Sequence, residues 1–342
     1  MFDLKNKVVL VVGGRGYLGR EFCQKLRLQN ATVVSADLPK LSKAADKSEF
    51  ISEIDDIDQL DIDVTNSKSI SSVVSLVLEK YGKIDILIYS VTAKPDDFYL
   101  PFTKCSLKGW QSVIHAELDG LFLVCQEVGK IMEDRKQGSM IFISSIYGVV
   151  GNDQRIYKDS NLAGLYTNQK HEEERQIFSH SVYPVVKGGI ISLTRYLAAY
   201  WGEYNIRVNC ISPGGVYHKG ENENFLKKYS EKVPLGRKAD VDEISSSVVY
   251  LSSDEASYIT GQNLIIDGGK LDASLLENNN ITGIGSVIIN SGIQISTSQL
   301  SELLAEEGFS VETEGSGALS IDVASEADAA NLGSLLADLS EN

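Results

Sequence analysis

The chain has 342 residues, 43% of them hydrophobic, enough to bury one large core and leave room for a small second unit. Its formal net charge of −15 is unevenly placed: residues 271–342 hold twelve Asp and Glu without one Lys or Arg, so they carry −12 and leave −3 for residues 1–270. The lack of a basic stripe argues against nucleic acid as a partner, and no apolar run approaches the ~18 residues of a membrane span.

The opening stretch, Met1-Phe2-Asp3-Leu4-Lys5-Asn6-Lys7, runs into a strand without a secretory apolar region. Cys23, Cys105, Cys125 and Cys210 are scattered and form no C-x-x-C, and the histidines are dispersed. Reduced thiols in a cytoplasmic chain without a metal site are expected.

Residues 7–12 open on Lys7 and continue as an apolar, mostly β-branched run, the pattern of a strand buried on both faces. They break into Gly13-Gly14-Arg15-Gly16-Tyr17-Leu18-Gly19, and a helical pattern follows to residue 29. In this strand–turn–helix setting, Gly13, Gly16 and Gly19 let the backbone approach a pyrophosphate, whose charge the helix N-terminus meets. The next strand, 32–37, ends in Asp37, placed where a carboxylate accepts the ribose hydroxyls of NAD. That acid would repel the 2′-phosphate of NADP, so NAD is favoured; Arg15 is the counter-signal.

Residues 39–58 suit a helix and a surface loop. A third strand is predicted over 59–64 with Asp63 at its tip, a helix over 67–81, and a fourth strand over 84–89. A long helix over 110–132 and a fifth strand over 139–145, ending in serines, come next. This alternation predicts an α/β fold: a doubly wound parallel sheet of Rossmann type whose C-terminal strand ends share one crevice.

A helix starting near Ser181 places Tyr183 and Lys187 one turn apart on one face, with Pro184 tolerated in its first turn. A free tyrosine titrates near ~10 while proton-transfer catalysis works best near ~7, a gap worth roughly 4 kcal/mol. A fixed ammonium nearby supplies charge of the right sign. Taken alone, the pair favours an amphipathic helix carrying a surface Tyr and Lys; the remainder of the sequence reverses that preference.

With the glycine turn, Asp63, Ser145 and Tyr183/Lys187 in this order, residues 5–270 resemble the short-chain dehydrogenase/reductase family. Asn209-Cys210-Ile211-Ser212-Pro213-Gly214-Gly215-Val216 is similar to its segment that closes over the nicotinamide. Residues 258–269 resemble its last strand and subunit-contact region. Ser144-Ser145-Ile146-Tyr147-Gly148, among other segments, resembles a bacterial branch linked to flagellin modification and nonulosonic-type sugars. The resemblance implies Tyr183 as general acid/base, Lys187 lowering its pKa while holding the nicotinamide ribose, and Ser145, with Ser144 as rival, on the reacting oxygen. It further implies Gly13, Arg15, Gly16, Tyr17, Leu18 and Gly19 at the pyrophosphate turn, with Asp37 on the ribose and Asp63 and Val64 at the adenine. Ser90, Pro213, Gly214 and Val216 complete the implied cofactor site, and a homodimer or homotetramer is implied.

Four positions depart from the family. Tyr89-Ser90-Val91-Thr92 stands for its N-N-A-G, Glu117 for its catalytic-helix Asn, and His218 for a threonine, while 38 residues separate Ser145 from Tyr183 instead of about a dozen. The resulting insertion, 152–180, carries Arg155, Lys158, Lys170 and Arg175 and is expected beside the substrate cleft, as a solvated loop or a lid. Lys219, Lys227, Lys228 and Lys232 in 217–232 suit an anionic substrate or the wet face of a helix.

Two domains are expected: a catalytic domain, 1–270, and an acidic extension, 271–342, a small α+β module that makes contacts rather than chemistry. The reading is an NAD-dependent oxidoreductase moving hydride between nicotinamide and a secondary alcohol or ketone of a sugar or nucleotide-sugar derivative. The rivals are an NAD-retaining dehydratase or epimerase and a catalytically silent dinucleotide-binding scaffold.

Overall fold

Residues 8–12 form β1 (Val8–Val12), in which Val8, Leu10 and Val12 face one core and Val9 and Val11 the other. This computed structural model describes residues 2–39, 57–160, 162 and 177–271, and the backbone of four short strands between residues 286 and 322. After β1 come α1 (Tyr17–Leu28), β2 (Thr32–Asp37), β3 (Asp58–Asp61), α2 (Ser67–Tyr81) and β4 (Ile86–Tyr89). They are followed by α3 (Leu107–Ile114), α4 (Gly120–Arg135), β5 (Gly138–Ile143), α5 (Val182–Trp201), β6 (Ile206–Pro213), α6 (Glu223–Ser230), α7 (Val241–Ser252) and β7 (Asn263–Ile266).

The seven strands are parallel, in the order β3-β2-β1-β4-β5-β6-β7. The chain reverses its direction of sheet growth between β1 and β4, so a crevice opens at their C-terminal ends. Apolar residues of α2, α4 and α5 cover one face, and those of α1 and α7 the other. The expected doubly wound sheet is present.

The fourth strand starts two residues late and the fifth ends at Ile143, before its serines, and two further expectations shift. The third strand stops at Asp61 because Asp63 turns the chain: Thr65 donates its N–H and hydroxyl to Asp63 Oδ1, at 2.9 and 2.7 Å. The predicted single helix over 110–132 is interrupted by a π-helical turn, His115–Asp119. Its cause is the buried Tyr89, whose hydroxyl donates to the Ala116 carbonyl at 2.6 Å. The Gly120 N–H bonds to His115 O instead, one residue further back than in an α-helix.

Residues 1–273 and 274–342 form two separate units. In the second, Ser286–Ile288 pairs antiparallel with Gln294–Ser296, and Ser310–Thr313 with Leu319–Asp322. The rest of the expected α+β module, and the helix and loop over 39–58, fall wholly or mainly outside the described residues.

Candidate active site

A cleft of about 670 Å³ lies at the C-terminal ends of the strands. Its first half begins at Gly13, held at φ +85° with its N–H on Ala36 O. A side chain there would meet Ser90 O at 2.5 Å, and one at Gly19 would meet Gly13 O at 2.0 Å. Only glycines allow strand, turn and helix to close this tightly. The first turn of α1 contains no acidic residue, so its N–H groups stay open to an anion. These features fit a dinucleotide pyrophosphate.

Gly16, Tyr17, Leu18, Asp37, Asp63, Val64 and Ser90 line this half, as does the segment Pro213, Gly214 and Val216. Arg15 does not. Its backbone N–H binds Asp37 Oδ2 at 2.9 Å, while its guanidinium pairs with Asp61 at 2.7 Å and donates to the carbonyls of Leu38 and Leu60. Gly19 is buried behind the turn. Tyr17 donates to Tyr217 O at 2.6 Å and packs on His218.

The second half is built by α5. Ser181 precedes it, and Tyr183 and Lys187 project from its first two turns. Ser144 donates to Lys187 O at 2.8 Å, whereas the Ser145 hydroxyl accepts from Tyr147 N–H at 3.2 Å and borders the cleft. Gly148 lets this serine loop touch α5, because a side chain there would strike the Lys187 backbone at 2.7 Å.

Lys187 is 2% exposed and its ammonium has three partners. It lies 2.9 Å from Glu117 Oε2, donates to Ile143 O at 3.2 Å, and sits 5.4 Å from the centre of the Tyr183 ring. Burial works against its charge, but Glu117 and Tyr183 outweigh burial and hold its pKa above the ordinary lysine value. Glu117 is wholly buried, its Oε1 accepting from Ala93 N–H at 3.1 Å. Lys94 reaches the same cleft, its pKa lowered by burial and pulled back by Tyr183 and Glu117.

Family models match nearly the whole first unit: short chain dehydrogenase over residues 7–160, and enoyl-(acyl carrier protein) reductase over 167–270. A solved short chain dehydrogenase from Leptospira borgpetersenii with bound NAD+ superposes with a TM-score of 0.65 and 30% identity, covering 78% of this chain and 93% of that one. This chain is a short-chain dehydrogenase/reductase. A 3-oxoacyl-acyl-carrier-protein reductase from Thermotoga maritima is 29% identical over 270 residues, 78% of this chain and 98% of its own. The post-translational flagellin modification protein A of Campylobacter coli is 28% identical over 268 residues, again 78% and 98%.

As a short-chain dehydrogenase/reductase it is an oxidoreductase acting on alcohol or keto groups. Its substrate side is aromatic, walled by Phe98, Tyr99, Tyr147, Tyr157, Phe225 and Tyr229. Burial pushes the Tyr99, Tyr147, Tyr157 and Tyr229 phenols up, so they act as neutral hydrogen-bonding groups. Both described ends of the insertion border the cleft through Tyr157, Ile177 and Ser179. They are stitched together by Gln154, which donates to Ser179 O at 3.1 Å and accepts from Ser179 N–H at 2.9 Å. Lys170 and Arg175 fall outside the described residues.

None of Lys219, Lys227, Lys228 and Lys232 lines the cleft. Lys227 is on the wet face of α6, and Lys232 is paired with Asp153 at 2.5 Å. Among the described residues, the lysines at the cleft are instead Lys94, Lys187 and Lys238, the last cancelled by a buried pair with Glu221 at 2.5 Å. The sequence marks Glu117 only by the family asparagine it replaces, and nothing in it indicates Lys187 as the partner. Among the described residues no cluster of His, Cys, Asp and Glu could hold a metal, and no helix is long and apolar enough to cross a membrane.

Proposed function

We propose that this enzyme transfers hydride between NAD and a secondary alcohol or ketone of a sugar or nucleotide-sugar derivative. The observation that carries the reading is the convergence of Ser145, Tyr183 and Lys187 on a cleft whose other half is the glycine turn and Asp37. NAD, when bound, supplies the hydride acceptor or donor. Gly13, Gly16 and Gly19 form the pyrophosphate turn, with Tyr17 and Leu18 beside it. Asp37 takes the adenosine ribose, Asp63 and Val64 the adenine, and Ser90, Pro213, Gly214 and Val216 the nicotinamide side.

Tyr183 exchanges the proton of the reacting oxygen. Ser145 donates to that oxygen, its hydroxyl proton being free because the hydroxyl only accepts from Tyr147 N–H. Ser144 is committed to the Lys187 carbonyl. Lys187 keeps a positive charge beside Tyr183. Asp37 supports NAD over NADP, and Arg15 does not oppose it, since its guanidinium is already held by Asp61 and two carbonyls.

The substrate class is supported by the tyrosine-rich wall, by Lys94, and by the flagellin-modifying relative. Aromatic faces stack on sugar rings, and phenols bond their hydroxyls. We infer a homodimer or homotetramer, supported by the exposed Tyr258, Leu264 and Ile265. Residues 271–342 are assigned a contact role.

The test is absorbance at 340 nm with NAD(H) and NADP(H) against a panel of nucleotide sugars, their keto derivatives, small polyols and a β-ketoacyl thioester. Turnover of a nucleotide sugar with NAD(H) is expected. Turnover of the thioester alone would overturn the substrate class, and a preference for NADP(H) would overturn the assignment of Asp37.

A further inference from the structure

Tyr89 and Glu117 lie 28 positions apart in sequence, and each replaces an asparagine expected from the family. In the structure they are one arrangement. The Tyr89 hydroxyl takes the Ala116 carbonyl, the Gly120 N–H moves to His115 O, and the helix opens by one residue between α3 and α4. Glu117 is the middle residue of the opened turn. Its carboxylate is wholly buried, with one oxygen on Ala93 N–H and the other 2.9 Å from the Lys187 ammonium.

A fully buried ion pair is an expensive way to fill space, because apolar residues of the same volume are often as stable or more so. This pair stands where charge matters for chemistry. Lys187 is the cation next to Tyr183, and a carboxylate against it offsets the field that favours a phenolate. We propose that Tyr89 and Glu117 act together as a positioning device, in which the Tyr89-opened turn presses the Glu117 carboxylate onto Lys187 and sets the pH range in which Tyr183 exchanges its proton.

The proposal rests on the acid/base role assigned to Tyr183. Glu117 is a positioning residue acting through Lys187, and Tyr89 acts one step further back. Among the described residues, and besides His180, whose carbonyl accepts the Tyr183 N–H, the other titratable groups that act on Tyr183 come from three segments. Lys94 and Tyr99 belong to the β4–α3 connection, Tyr147 and Tyr157 follow β5, and Tyr229 sits on α6. Lys94 adds a second positive charge to the site. The Glu117 carboxylate against Lys187 limits the positive field that the two lysines place on Tyr183. The raised pKa of Lys187 agrees with the pairing, since the carboxylate keeps the ammonium charged despite its burial.

The test needs no substrate. Tyrosinate absorbance at 295 nm is titrated on the full-length chain and on its Tyr183→Phe version, and the difference isolates Tyr183 from the other tyrosines. The same pair is then measured in Glu117→Gln, which keeps the side-chain length and one oxygen, puts an amide NH2 in place of the other oxygen, and removes the charge. The step isolated by subtraction is expected about one pH unit lower in Glu117→Gln, and at the original pH in Glu117→Asp, which keeps the charge. A Glu117→Gln step at the original pH would overturn the proposal, because a merely structural carboxylate would change stability and leave the step in place. Where Glu117→Gln fails to fold, Tyr89→Phe decides. Removing one hydroxyl lets the helix close and withdraw the carboxylate, so the step should move down by about half a unit or more, and an unmoved step would overturn the proposal. Failure of turnover assays would overturn the function proposed above and leave this titration readable.

Discussion

Asp85 and Glu117 are both buried carboxylates held by cations, at opposite ends of one sheet. Asp85 precedes β4 at the N-terminal edge. It accepts from Val8 N–H at 2.8 Å and pairs with Lys83 and Arg135 at 2.8 and 2.9 Å, both cations about 30% exposed. Glu117 lies at the C-terminal edge against a lysine that is 2% exposed. The first pair keeps water on its cations and ties the start of β1 to the start of β4, so it serves stability. The second is desolvated on both sides and borders Tyr183, so under the role proposed for Tyr183 the same chemistry would serve reactivity. Position along the strands separates the two roles, as expected of sheets whose ligands bind beyond the carboxyl ends.

The comparison breaks if the C-terminal edge turns out to be merely structural. The largest expected effect is therefore at Tyr183: Tyr183→Phe should lose at least ~10²-fold in kcat, the usual scale for a general acid/base, while NADH still quenches protein fluorescence with unchanged affinity. Near-normal turnover would remove Tyr183 from the mechanism. Next comes the turn itself. Gly13→Ala forces a left-handed residue and a 2.5 Å approach to Ser90 O, so NAD Kd measured by calorimetry should rise at least ~10-fold. An unchanged Kd would show that the turn is not the pyrophosphate site.

Asp37→Ala sharpens the same edge by a smaller amount. It should narrow the preference for NAD over NADP by about tenfold in kcat/KM, because a carboxylate facing the 2′-phosphate is removed. A wider gap in that variant would contradict the assignment.

The smallest effect belongs to the other end of the sheet. Burial opposes the Asp85 charge, but Lys83, the Val8 N–H and Arg135 overcome it and hold its pKa below the usual aspartate value. A depressed folded pKa means stability that is present above about pH 4 and lost as pH falls through the folded value. Asp85→Asn should therefore flatten the acid-side fall of Tm below about pH 4 and leave the pH profile of turnover alone. A moved turnover profile would erase the distinction between the two ends.

What the sequence shows well is what depends on neighbours. The apolar run of β1, the glycines behind it, Asp37 at the end of β2, and the four-residue spacing of Tyr183 and Lys187 are local patterns with local causes. The π turn is not local: it needs the hydroxyl of Tyr89, 27 residues before the carbonyl it captures. The same holds for Glu117, whose partner lies 70 residues on, and for the tyrosine wall, which draws on the β4–α3 connection, the loop after β5 and α6. Lys227 was ambiguous because helical spacing gives a wet face and a ligand face the same look. Only packing of Phe225 and Tyr229 inward settles which way α6 turns.

Hydride transfer is the centre of the account, and isotopic transfer tests it most directly. The full-length enzyme is given NADH deuterated at C4 of the nicotinamide and the keto substrate found in the panel, and the product is weighed by mass spectrometry. One deuterium per product alcohol, with one NADH consumed for each, and at least ~10²-fold slower incorporation by Tyr183→Phe, is the predicted result. Product that forms without net loss of NADH would contradict the account in favour of an NAD-retaining dehydratase or epimerase. Saturable NADH binding with no product from any ketone would contradict it in favour of a silent scaffold.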